Sequence, residues 1–504
     1  MKKMFNFRFF FCLFLTMVAG HLFAVKICQS KIFLYIFFAL TIIALITAII
    51  LFSCFYKKFK NVLLYASCIA LTLVIAMGLS LIRIGIKEKD NQIPQGNYVV
   101  QGTVSYINSN KGLVYLKDVE LNYGEYKLHS TVRVFVYQLD DGLEIGDSMV
   151  VSIKKMKIKY SPTLYDSFVS TINIGKNTEV SIVKSKRLDC IIRHKVKDQL
   201  LKVADKNTAE IEYAMLFGDK SYLNGELKEN YSSVGLSHLL AVSGLHVGFV
   251  IAIISKTLDK LIKNKRWFAF GIKSILIFLY LILCNFAISA SRAVIMSMVL
   301  LYADARGKSY DGFSALSFAG CILLLLDPTQ FYDVGFQLSF MVVFGLFGIA
   351  PLFSKVFLKV MPKWLGEGLA VSISSMICSM PIVAHYFTSV SFLSVIVNLF
   401  VIPYVSFAFT ILFSFAMLAL LIPPLGVILV VPSFLFDVLN YVVVSLANLS
   451  LSLTGFHVES VGLIVAVCAI IIMSKYNLIK AKQPRWILGL SLTALFILTL
   501  IFQI

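Results

Sequence analysis

The stretch Gly235-Leu-Ser-His-Leu-Leu-Ala-Val-Ser-Gly-Leu-His-Val-Gly248 carries two histidines and no acidic or basic group at the head of an apolar run that continues to Ile254. With its flanks, that run approaches the roughly 20 residues a helix needs to cross a bilayer's hydrocarbon core. Its first half is not lipid-like. On a helix, Ser237, Ala241, Gly244 and Gly248 fall at i, i+4, i+7 and i+11, a stripe with almost no side-chain volume. Such a stripe either packs against a neighbouring helix, small residue to small residue, or lets a polymer approach. His238, Ser243 and His246 favour the second reading, because polar groups at membrane depth face a bundle interior or a wet path.

The rest of the chain fits that membrane setting. Hydrophobic residues make up 59% of its 504 residues and charged residues 14%, a balance that excludes a soluble globular protein. Apolar segments predict spans near 9–25, 32–56, 62–86, 236–255, 267–288, 290–303, 313–326, 336–354, 365–387, 390–421, 425–453, 459–474 and 486–504. The segments near 290–303 and 313–326 read as too short to cross, as broken helices beside a solvent path do.

Basic residues orient these spans. Lys2, Lys3 and Arg8 place the start of the chain inside, Lys57, Lys58 and Lys60 fit the next inner loop, and Lys256, Lys260, Lys263, Lys265 and Arg266 mark a return to the cytoplasm. The formal net charge of +19 therefore has a topological explanation before a nucleic-acid one. Met1–Ala24 has the outline of a secretory signal, but the spans that follow favour a retained segment. The nine cysteines form no Cys-x-x-Cys pair, so neither a disulfide framework nor a zinc knuckle is indicated.

One region is water-soluble. Between Lys87 and about residue 188, runs such as Tyr98–Tyr106, Gly112–Leu116, Thr131–Val136 and Ser148–Ile153 alternate with a period of two, with turn residues between them. This pattern predicts an extracytoplasmic β-barrel, an OB-like Greek-key domain. Lys155, Lys157 and Lys159 would share one strand face and offer phosphates a basic stripe; the alternative is a charged edge that blocks sheet aggregation. Tyr98, Tyr106, Tyr115 and Phe135 are candidates for base stacking or for the barrel core.

Within the membrane region, Arg292 costs at least about 3 kcal/mol at bilayer depth, so it needs a partner, a wet pathway or an interface to snorkel to. Asp327, Gln337 and Asn398 are further polar candidates along a path. Gly307-Lys308-Ser309 resembles the end of a P-loop, but Tyr302 stands where that motif needs glycine. Ser243 and His246 could imitate a nucleophile and base, without an orienting carboxylate nearby in sequence. The seven histidines are too scattered for a His-x-His-x-Asp metal site, and no metal or cofactor is expected.

Leu216-Phe-Gly-Asp219, the Gly235–Val247 block, Ser291-Arg-Ala-Val-Ile-Met296, Asp327-Pro328 with Gly335-Phe-Gln-Leu-Ser-Phe340, and Asn398-Leu-Phe-Val-Ile-Pro403 together resemble the ComEC family of competence proteins in order and spacing. The resemblance runs from about residue 90 to 475. It implies an inner-membrane channel that passes one strand of incoming DNA into the cytoplasm during natural transformation, with an OB-like soluble domain. Ser161-Pro-Thr-Leu-Tyr-Asp166 is similar to the Asn-Pro-Gly-x-x-Asp segment that follows that domain in the family, departing at Ser161 and Thr163. Many members continue into a metallo-β-lactamase-like nuclease domain whose His-x-His-x-Asp-His motif is not found here, so the resemblance implies a separate nuclease, an external DNA receptor and a cytoplasmic helicase or strand-binding protein as partners, beside membrane lipid and single-stranded DNA itself.

The resulting expectation is a polytopic α-helical membrane protein of the cell membrane. Its parts are N-terminal transmembrane helices over 1–86, an extracytoplasmic OB-like domain over 87–188, a surface helical connector over 189–235, a channel domain over 236–475 and a last transmembrane helix over 476–504. The transport pathway would be lined by His238, Ser243, Gly244, His246, Arg292, Asp327, Gln337 and Asn398, with DNA received at Lys155, Lys157 and Lys159 and no catalytic residue. The rivals are a transporter of another polymer or solute, a membrane-embedded hydrolase using Ser243 and His246, and a scaffold that has lost transport.

Overall fold

The computed structural model describes residues 9–29, 68–108, 112–129, 131–136, 143–156, 168–174, 180–262, 265–387, 389–391, 393–448, 452–454 and 460–474. The predicted spans 32–56 and 486–504, residues Lys157 and Lys159, and the segment Ser161–Asp166 lie outside these residues.

The alternating region forms a sheet from β1 (Gly96–Asn108), β2 (Leu113–Leu121), β3 (Tyr126–Lys127), β4 (Thr131–Val136), β5 (Ser148–Met156), β6 (Phe168–Ile174) and β7 (Val180–Val183). Its order is β6-β4-β2-β1-β5-β7, with β3 added to β2. The period-two pattern does what it predicts: in Thr131–Val136 every second residue is buried, and Val100, Val114, Leu116, Val132 and Val134 fill one continuous core. Long β1 pairs with both β2 and β5 and is bent by two register shifts against β2. Gly102 lies between them, where a Cβ would stand 3.0 Å from the side chains of Leu116 and Val119, so a side chain there would displace the core. β4 and β6 run parallel, the other pairs antiparallel. Among the described residues no ladder joins β6 to β7, so the sheet is not a closed barrel. A turn at Glu144–Asp147 leads into β5: Gly146 has φ +100°, and the buried Asp147 carboxylate accepts from the N–H groups of Glu144 (3.0 Å) and Ser185 (2.9 Å).

Two helices lead from the sheet to the bundle, α3 (Leu188–Val203) and α4 (Lys206–Phe217). Arg193 of α3 donates to the carbonyl of Ile145 at 3.1 Å, and Lys197 and His194 both reach Glu144. On its other side Gln199 donates to the Ala419 carbonyl at 3.0 Å. The connector thus bonds to sheet and bundle at once.

The bundle comprises α5 (Gly225–Ser233), α6 (Gly244–Leu261), α7 (Arg266–Leu283), α8 (Ile288–Ala305), α9 (Gly312–Leu326), α10 (Val334–Gly348), α11 (Ala350–Phe357), α12 (Lys363–Phe387), α13 (Ser394–Leu421), α14 (Val430–Ala447) and α15 (Ser460–Met473), together with two helices from before the sheet at Phe9–Gln29 (α1) and Cys68–Glu88 (α2). Six helices among the described residues are long and apolar enough to cross a membrane: α2, α7, α8, α12, α13 and Pro423–Ala447, in which α14 lies; α10 and α11 would make a seventh span, bent by 42°. The chain is a multi-pass membrane protein. α8 corrects one expectation, since its 18 residues suffice to cross; α9, at 15, is short as predicted.

Among the described residues the helices bury two large cores. One joins α3, α4, α6, α7, α13 and α14; the other joins α1, α9, α10 and α12 through phenylalanines such as Phe11, Phe313, Phe336, Phe340 and Phe344. α8 contributes to both, turning Ala290, Ala293 and Val294 to the first and Ile288, Ile295 and Met296 to the second.

Candidate functional site

The Gly235–Gly248 block is not one helix. α6 begins only at Gly244, and residues 237–240 form turns. The proposed stripe is therefore broken, with Ser237 and Ala241 off the helix that carries Gly244 and Gly248. Gly235 has φ +81° and a Cβ there would stand 2.5 Å from Ser394 Cβ, which makes glycine the residue that fits both the backbone and the contact. His238 is exposed, while His246 is fully buried.

Ser243 and His246 form a reciprocal helix cap. The Ser243 hydroxyl accepts from the His246 N–H at 3.5 Å, and His246 Nδ1 accepts from the Ser243 N–H at 3.3 Å. This is a capping box with histidine in the place usually held by Glu or Gln. The imidazole lies against Phe409 of α13, with ring centroids 4.4 Å apart. A hydrolase would need Ser243 Oγ to donate to the imidazole; here both groups are turned to backbone N–H groups instead.

Arg292 lies one turn into α8 and is 4% exposed. Its guanidinium donates to the Ser339 carbonyl on α10, is 5.9 Å from the centroid of the Phe340 ring and reaches Gly244 at the start of α6. A Cβ at Gly244 would stand 2.9 Å from Arg292 Nη2, so the missing side chain is what admits the guanidinium. Nearby, the Ser289 hydroxyl of α8 donates to the Val242 carbonyl at 2.6 Å and fixes the approach to α6. Arg292 thus sits at the seam of the two cores, with α6 on one side and α10 on the other. Among the described residues, no carboxylate is within salt-bridge distance of it, and its buried Nε has no hydrogen-bond partner.

Of the predicted pathway residues, the structure brings Ser243, Gly244, His246 and Arg292 together. Asp327 accepts from Thr329 through both N–H (3.1 Å) and hydroxyl (2.8 Å) and caps a short 3-10 turn. Gln337 donates to the Phe331 carbonyl at 3.1 Å. Asn398, on α13, has a buried side-chain oxygen without a partner among the described residues. The residues that sequence reasoning missed are Ser339, Phe340 and Phe409. The first two lie in the same motif as Gln337, and the pattern gives no sign that a backbone carbonyl and a ring, not the amide, would meet the arginine.

On the sheet, Lys155 lies near the end of β5. A second feature lies at the far end of β1, away from the Gly96–Tyr98 segment that meets this end of β5: Tyr106 of β1 pairs in register with Tyr115 of β2, and Tyr115 with Arg133 of β4. The two tyrosine rings are 5.0 Å apart, and the Arg133 guanidinium is 5.8 Å from the Tyr115 centroid. Tyr106 is 37% exposed. Burial of its phenol raises its pKa, with Tyr115 adding to the shift. Tyr98, in contrast, is a core residue.

The competence protein family model matches residues 215–500. ComE operon protein 3 of Bacillus subtilis (strain 168) is 32% identical over 198 residues, 39% of this chain and 25% of that protein. An uncharacterized protein of Aquifex aeolicus (strain VF5) is 31% identical over 144 residues, 28% of this chain and 33% of that protein. Competence protein ComA of Neisseria gonorrhoeae is 27% identical over 209 residues, 39% of this chain and 28% of that protein. The matches thus take in about a quarter to a third of each relative's length. No solved structure matches. With the family model spanning more than half the sequence and the Gly235–Val247, Arg292 and Gly335–Phe340 motifs meeting at one seam, the chain belongs to the ComEC family of competence proteins.

Proposed function

We propose that this protein is a membrane channel that moves single-stranded DNA into the cytoplasm during natural transformation, without bond chemistry of its own. The observation that carries the reading is Arg292: a buried guanidinium with no carboxylate in reach among the described residues, at the seam between two helix cores. A charge at that depth is costly unless something compensates it, and a phosphodiester passing along the seam supplies the opposite charge. The capped start of α6 and Gly244 hold the guanidinium in place, and His238, Asp327, Gln337 and Asn398 extend the polar lining.

The sheet receives the strand on the outer side of the membrane: Lys57, Lys58 and Lys60 assign the loop before α2 to the inside, and α2 (Cys68–Glu88) then delivers the chain to the outer face ahead of the sheet. Its path, with long β1 shared between β2 and β5 and a parallel β4–β6 pair, supports a partly open Greek-key barrel of the OB kind. The Tyr106–Tyr115–Arg133 row provides stacking surfaces, and Lys155, Lys157 and Lys159 provide phosphate contacts. A DNA receptor outside, a separate nuclease and a cytoplasmic helicase or strand-binding protein complete the system.

The test is uptake of end-labelled duplex DNA into nuclease-protected cytoplasm, in cells with the protein, without it, and with Arg292→Ala or Arg292→Lys. Protein-dependent single-stranded product that is lost in Arg292→Ala, with the variant inserted at normal levels, supports the channel. Equal uptake without the protein turns the assignment to a transporter of another polymer or solute.

A further inference from the structure

The opposite end of α8 holds a feature that DNA transport does not use. A cavity of about 410 Å³ opens where the end of α6, the start of α7 and the end of α8 meet, roughly 13 Å along α8 from Arg292. Its chemistry is divided. Ala269, Phe270 and Leu301 give it an apolar floor, while Lys265, Arg266 and Lys273 bring three cations against the two carboxylates of Asp259 and Asp304. Lys273 is 4% exposed and is bonded to Asp259 at 2.8 Å, so these two charges answer each other across α6 and α7. Lys265 and Arg266 remain exposed at the mouth with Asp304 as the other charge. The first turn of α7, an 18-residue helix, opens here with no side-chain cap among the described residues, and its N–H groups add positive potential.

The surroundings mark the level of a membrane surface. Trp267 and Phe268, next in sequence, are 53% and 59% exposed, the placement of aromatic rings at lipid headgroups. Arg306 is 5.6 Å from the ring centroids of both Trp267 and Tyr302 and donates to the Tyr302 hydroxyl at 3.2 Å, which adds a held cation beside the opening.

The geometry points to a binding site for the phosphate headgroup of an anionic phospholipid in this cavity between α6, α7 and α8. The volume is in the range of small-molecule sites. Cations at the mouth meet the phosphate, and the apolar floor takes the glycerol and the first acyl carbons, which a free phosphate does not have. Basic pockets between transmembrane helices on the cytoplasmic side recognise headgroups in this way. The site is independent of the DNA reading, since nothing in it depends on Arg292.

The test uses the purified, delipidated full-length chain in neutral detergent, titrated by calorimetry with dihexanoyl phosphatidylglycerol, dihexanoyl phosphatidylcholine and glycerol phosphate. Phosphatidylglycerol binds the wild type in preference to phosphatidylcholine, and the double variant K265Q/R266Q, altered only at exposed side chains, loses about thirtyfold in affinity for it. Equal affinity for the two lipids, or unchanged affinity in the double variant, overturns the site. Glycerol phosphate binding as tightly as phosphatidylglycerol overturns the lipid assignment and makes the cavity a site for soluble phosphate esters.

Discussion

Gly244 and Arg292 meet with no room for a methyl group between them: a Cβ on Gly244 would stand 2.9 Å from the guanidinium Nη2, and its next neighbour is Ala293 Cβ at 3.7 Å. The atom in the way is the end of a flexible side chain, so Gly244→Ala is cheap for folding and displaces the guanidinium from its bond to Ser339. Losing a charged hydrogen bond at a working position costs on the order of 2 kcal/mol. Gly244→Ala is therefore expected to reach the membrane in normal amounts with stability lowered by no more than that bond, about 2 kcal/mol, while DNA uptake falls about tenfold or more. Uptake at the wild-type level would show that the position of Arg292 is immaterial to transport.

Ser243 serves α6 as a cap, so its replacement reads out as stability. Ser243→Ala is expected to cost about 1 kcal/mol and Ser243→Asn much less, since Asn caps as well as Ser. Thermal unfolding in detergent measures this. Uptake should track stability in both variants; if both abolish function while folding normally, the hydroxyl has a chemical role after all.

These two residues also show how far the sequence could be read. Membrane class and the start of the Ser243–Arg292 cluster were legible, because burial of polar groups in an apolar chain demands partners. The start of α6 was not, because the apolar Leu239 and Leu240 extend the hydropathy beyond the cap, and the helix signal is a capping box completed by His246 where Glu or Gln is usual. The length of α8 was hidden by the opposite effect. Ser289, Ser291 and Arg292 interrupt its hydropathy, yet the Ser289 hydroxyl finds the Val242 carbonyl and Arg292 the Ser339 carbonyl, both remote in sequence. The strands were legible from alternation; their order, and the parallel β4–β6 pair, depend on long-range pairing that a period of two does not encode.

The Tyr106–Tyr115–Arg133 row predicts a loss of single-strand affinity that is insensitive to base sequence. Each stacked base is worth about 1–3 kcal/mol by alanine substitution. Tyr115→Ala in the full-length protein should weaken binding of a fluorescent oligothymidine about tenfold or more, and Tyr115→Phe should not. An oligonucleotide that binds Tyr115→Ala as tightly as the wild type would remove this row from the receiving surface.

Glu212 of α4, outside the six spans, predicts the pH dependence of stability. Its side chain is fully buried, with the Ser433 hydroxyl donating to its carboxyl oxygens at 3.2 Å. Burial raises its pKa to about 8, with the neighbouring Asp437 adding to the rise and the Ser433 bond offsetting part of it. Unfolded, the group titrates in the ordinary carboxylate range near 4.5. Between these two values the folded protein holds a proton that the unfolded chain has released, so stability is full below about 4.5 and declines as pH rises through about 8. The decline from this one proton is at most about 1.4 kcal/mol per pH unit. Glu212→Gln keeps an acceptor for Ser433 and cannot ionise. Unfolding scans in detergent from pH 5 to pH 8.5 should therefore show a wild type that loses stability relative to the variant across the whole interval, the gap closing on the acid side. A constant difference between the two proteins would mean that Glu212 is ionised in the folded state, and that a cation compensates it within the α4–α14 contact.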